Sequence, residues 1–191
     1  MIKKFKLFEL FDQTNIYDYE LVNVERGTEE GDEFDLYLYK FTGKDTTYYA
    51  RLSFFNKLAD KELWDNFLTL DFMDEEQYLQ NKDVHYEIKF KNTDKKDAVK
   101  VINTVFALLL ELQDKVNPWI ISFDCTEDRY RVYLYCVQKF LYNYIQVNYM
   151  MDDKTKGYFY LYNQKNYKVS EEGDSIVRKD NEKIVYTGSD N

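Results

Sequence analysis

The chain has 191 residues, 45% of them hydrophobic and 32% charged, with a net charge of −9 and a pI of about 4.8. That length fits one domain with enough core to fold without disulfides or metal. The carboxylate excess excludes non-specific nucleic-acid binding, which needs clustered Lys and Arg, and the longest apolar run, 105–110, excludes a membrane-spanning helix of roughly 20 residues.

In chain order, residues 2–12 place Phe5, Phe8 and Phe11 at helical spacing and predict a short amphipathic helix. Residues 17–25 alternate loosely as a strand, and 25–33 (ERGTEEGDE) form a polar loop with two glycines. Residues 34–41 and 46–55, joined by the turn 42–45, predict a hairpin of β-branched and aromatic strands. Residues 63–72 predict a third strand, although Leu63, Phe67 and Leu70 also suit a helix. Residues 74–83 read as an acidic loop, and 84–91 set Val84, Tyr86, Ile88 and Phe90 on one face of a strand. After the cap at 92–94, Val101, Ile102, Val105, Leu108, Leu109, Leu112 and Val116 follow the 3.6-residue period of a helix buried on more than one side. Asn117-Pro118 stops it. Residues 119–123 form an interior strand, and Thr126 caps a helix over 127–144. Strands over 144–150 and 157–163 flank a polar turn. From residue 165 the chain is charged and weakly patterned, a mobile tail in which 184–186 pair weakly. The expectation is one α+β domain over 1–164 with a mixed, mainly antiparallel sheet and two central helices. Its halves are a helix and strand meander over 1–91 and a helix-strand-helix-strand-strand core over 92–164, with a polar tail over 165–191.

Few residues carry a chemical signature. His85 is the only histidine, with no nucleophile placed near it by a motif, and reads as a solvent-facing strand residue. Cys125 and Cys136 lack the paired spacing of a zinc site and read as buried, reduced thiols. Asp71, Asp74, Glu75 and Glu76 form a carboxylate cluster without the calcium-loop glycine, so a solvated loop is the expectation and no metal is assigned. Asp124, Glu127 and Asp128, beside Arg129 and Arg131, fit helix capping and local ion pairs, with Arg131 anchored to a carbonyl or carboxylate near the central strand. Nineteen tyrosines exceed what a core absorbs. Tyr37, Tyr39, Tyr48, Tyr49, Tyr142, Tyr158, Tyr160 and Tyr162 are therefore expected to meet water or a partner.

The order strand, helix, strand, helix, strand, strand over 84–163 resembles the second half of the GNAT acyltransferase fold. Residues 131–135 (RVYLY) are similar to that family's last helix, where a Leu-Tyr pair carries the general acid. The resemblance makes Tyr135 the candidate acid toward a departing thiolate. The family's glycine-rich loop, which holds the pyrophosphate of coenzyme A at a helix N-terminus, is replaced here by KFKNTDKKDAVKV. That stretch has no glycine and sets Asp94 and Asp97, beside Lys95 and Lys96, where a diphosphate would dock. No cofactor is therefore expected. Most of the chain, from FKLF through WIISFDCTEDRYRVYLY to GYFYLY, looks more like a set of small proteins encoded by tailed bacteriophages, which Arg131, Leu134 and Tyr135 match as a structural motif.

These readings converge on a non-enzymatic phage protein acting by protein–protein contact, as a virion-associated or assembly component. It is expected in the virion or host cytoplasm, since its opening residues lack the apolar stretch of a secretion signal. A host-directed inhibitor of a defence protein (or an acidic DNA mimic) and an acyltransferase using Tyr135 are the alternatives.

Overall fold

The computed structural model describes residues 14–29, 32–57, 66–80, 95–150 and 156–187. The expected helix over 2–12 and strand over 84–91, with His85, lie outside these residues. Ten strands and three helices are present among them: β1 (Tyr19–Glu29), β2 (Asp32–Thr42), β3 (Thr47–Lys57), β4 (Phe67–Asp74), α1 (Glu75–Gln80), α2 (Lys95–Val116), β5 (Ile120–Thr126), α3 (Glu127–Phe140), β6 (Tyr144–Met150), β7 (Lys156–Asn163), β8 (Tyr167–Val169), β9 (Ser175–Arg178) and β10 (Ile184–Thr187). The fold is α+β, as its pattern of alternating strands followed by amphipathic helices dictates. A mixed, mainly antiparallel seven-stranded sheet runs in the order β1-β2-β3-β4-β5-β7-β6, with β1 and β6 as its edges among the described residues. The described residues group into two compact units, one within 1–25, 36–52 and 71–115, the other within 26–35, 53–70 and 116–191.

In the first unit, α2 carries the apolar stripe read from the sequence: Val101, Ile102, Val105, Phe106, Leu108, Leu109 and Leu112 are all buried. Each such side chain contributes about 1.5–3 kcal/mol over its exposed state. Tyr37, Leu38 and Tyr39 are buried in succession, so this part of β2 is covered on both faces. Phe41 stacks on Tyr48 at 5.3 Å and on Tyr17 at 6.3 Å, and Tyr49 stacks on Tyr78 at 3.9 Å. The acidic stretch after β4 begins as a helix rather than a loop. The Gln77 amide donates to Asp74 Oδ1 at 2.9 Å, and the Asp74 amide donates to Gln77 Oε1 at 3.3 Å. This reciprocal pair is a capping box, with Asp in place of Ser or Thr.

In the second unit, Phe67–Thr69 of β4 pairs in parallel with Ile120–Ser122 of β5. Parallel neighbours require a long crossover, and the 22-residue α2 lies in it. β5 pairs antiparallel with β7 over its full length, and β7 with β6. Asn117 takes φ 48, the left-handed exit that asparagine tolerates. The carbonyl of Pro118 then accepts from Tyr144 Oη at 3.2 Å and Asn163 Nδ2 at 3.3 Å. α3 ends at Phe140, four residues earlier than its apolar pattern suggested, where the Leu141 amide closes on the Val137 carbonyl at 2.9 Å. Thr126 occupies the N-cap position without a side-chain cap bond.

The sharpest difference from the sequence reading lies beyond residue 164. Instead of a mobile tail, 167–187 form an antiparallel sheet in the order β10-β9-β8. Tyr167 and Ile176 join Phe67, Ile120 and Tyr162 in one core cluster, so the inner face of this stretch is carried by a few apolar residues set among charged ones. The turn between β8 and β9 has Gly173 at φ 81, and the Asp174 carboxylate accepts from Ser170 Oγ at 3.0 Å and Ser175 Oγ at 2.9 Å. The hydroxyls of Ser175 and then Ser170 hold that carboxyl below its usual range.

The stretch 25–33 is likewise mostly strand. Gly27 lies within β1, where an added Cβ would sit 2.8 Å from Phe34 Cζ. Its role is close approach, not a turn.

Candidate functional site

The residues singled out from sequence do not converge on a reacting centre. On α3, Arg131 is exposed, and Leu134 and Tyr135 are half-buried. The Lys139 ammonium lies 6.0 Å from the Tyr135 ring. Arg131 makes no ion pair among the described residues. Its neighbour Tyr133 is buried against Phe123, centroids 5.8 Å apart, and burial drives its phenol upward. Cys125 and Cys136 are both buried and are not joined in a disulfide. Burial pushes the Cys136 thiol up to about 12, which removes the thiolate a nucleophile or redox centre needs. Asp124, exposed, lies 3.9 Å from Lys156, Glu127 is exposed, and the Asp128 side chain lies outside the described residues.

In the carboxylate cluster, Asp74 is committed to its cap. No group of three or more His, Cys, Asp or Glu among the described residues could hold a metal ion. The tyrosines divide differently from expectation. Tyr37, Tyr39, Tyr48, Tyr49 and Tyr162 are buried, Tyr158 and Tyr160 are half-buried, and Tyr142 alone of the eight is fully exposed, at 78%. Ring contacts, stacked for Tyr48 and Tyr49 and edge-on for Tyr39 and Tyr162, accommodate four of the buried ones at distances that favour aromatic pairs.

A polar stripe along α2 went unread in the sequence. Asp97, Lys100, Thr104, Glu111 and Lys115 recur at helical spacing, and tyrosines from outside the helix meet each of them. Tyr17 Oη donates to Asp97 Oδ1, and the Tyr17 amide donates to Thr104 Oγ1 at 2.9 Å. The Lys100 ammonium sits 4.0 Å above the Tyr17 ring, a cation–π contact. Tyr19 Oη donates to Glu111 Oε2 at 2.5 Å, and Lys115 lies 5.0 Å from the Tyr37 ring. Burial first, then the bond to Asp97, pushes Tyr17 up to about 12. Tyr19 is also pushed up to about 12, chiefly by its bond to Glu111. Neither phenol is an acid near neutrality. The signal available in the sequence was the polar spacing itself, but its hydrogen-bond partners lie 80 or more residues away in the chain.

This stripe fixes the entry into β1, and the surface beside it is open. A cleft of about 510 Å³ is lined by Tyr17, Asp18, Tyr19, Glu20, Lys40, Phe41 and Thr42. β1 then continues as an edge strand with Leu21, Val22 and Val24 exposed at 46%, 49% and 41%. Aromatic walls, charged rims and apolar side chains thus line a strand that is paired on one side only among the described residues.

No family model matches the chain, and no curated protein or solved structure matches it.

Proposed function

We propose that this chain is a protein-binding module that engages its partner along the outer edge of β1, as a virion-associated or assembly component of a phage. The observation that carries the reading is the run Leu21, Val22 and Val24 on an 11-residue edge strand. An edge strand offers a row of unpaired amides and carbonyls. Proteins that do not use such an edge blunt it by shortening, bulges, proline or charge. Here the edge is long and lacks proline, and its charges, Glu20, Glu25, Arg26 and Glu29, flank an uncharged centre over 21–24. Three large apolar side chains are left in water.

The test is affinity capture from phage-infected cells and dissociated virions, comparing the wild-type chain with a V22K/V24K bait. Lysines on the edge repel a docking strand and cost the fold little, since both valines are solvent-exposed. A protein retained by the wild type and lost by the variant is the expected result. Identical captured sets would contradict the reading.

Acyl transfer is the second reading. What favours it is the order α2, β5, α3, β6, β7, the helix-strand-helix-strand-strand part of the acyltransferase resemblance, whose first strand, 84–91, lies outside the described residues, together with the parallel β4–β5 pair. Against it stands Asp97, a buried carboxylate in the first turn of α2, where a diphosphate would need donors. That reading requires stabilisation of the chain by acetyl-coenzyme A.

A further inference from the structure

We draw no further inference here: the strongest candidate, the open cleft of about 510 Å³ at the start of β1, mixes Asp18 and Glu20 with Lys40 on its rim and gives the Tyr17 and Tyr19 hydroxyls to Asp97 and Glu111 of α2, so nothing in the structure shows what covers it.

Discussion

Tyr167→Ala is expected to lower the stability of the whole chain by about 3–5 kcal/mol, the range for removing a large buried aromatic. Tyr167 is 1% exposed and meets Tyr162 edge-on at 5.3 Å and 72°. It belongs to one cluster with Phe67, Ile120 and Ile176, so truncation opens a cavity between the small sheet and strands β4, β5 and β7. For a chain of this length a loss of that size lowers the melting temperature by roughly 10 °C. Chemical denaturation checks it, with Glu171→Ala in the exposed turn as a control expected within about 0.5 kcal/mol of wild type. A Tyr167→Ala variant as stable as the control would mean that residues beyond 164 add nothing to the core.

Asp97→Ala is expected to cost about 2 kcal/mol. Asp97 is 5% exposed, in the first turn of α2, and its Oδ1 accepts from Tyr17 Oη and, at 3.3 Å, from the Lys44 amide. Hydrogen bonds to a charged group contribute about 1.5–3 kcal/mol, and a carboxylate at a helix N-terminus adds a few tenths. The second oxygen, Oδ2, is buried without a hydrogen-bond partner among the described residues, which offsets part of the gain and keeps the net loss near the lower figure.

The same substitution has a pH signature. Tyr17 is held at about 12 against an ordinary value of 10.0. The folded state therefore keeps its proton after the unfolded chain has released it. The stabilisation is fully present below pH 10.0 and is lost as pH rises toward 12. Without Asp97 the hydrogen bond and the nearby charge are gone, burial and the neighbouring Tyr48 still raise Tyr17, and the alkaline decline flattens in part. Tyr19, held by Glu111, continues to contribute. Denaturation midpoints between pH 9 and about 12, compared for wild type and variant, give the check: parallel curves would contradict the role assigned to Asp97.

The α2 stripe, the interior strand β5 and the hairpin of β2 and β3 were legible because each shows its period over a full element. Period alone could not reveal 167–187, where strands of three and four residues are too short to display alternation between charged turns. α1 was hidden by composition. Its acidic residues resemble a loop, although Asp74 and Gln77, three apart, carried a cap signal. Gly27 was read as part of a polar loop because nothing local announces the Phe34 ring beside it. The tyrosines were misplaced for a related reason. Their number suggested a wet surface, but stacking partners such as Tyr49 and Tyr78 come together only in the folded chain. The candidate surface was the least legible part, since being an edge is a property of strand order and not of the strand's own residues.

Amide hydrogen exchange across β1 tests most directly whether its outer edge makes the contacts. The full chain is measured alone and with the protein captured by the wild type and lost by V22K/V24K. Slower exchange over 20–26 in the presence of that protein, with the exposed turn at 171–174 unchanged, is the predicted result. Exchange over 20–26 that the captured protein does not slow would contradict it.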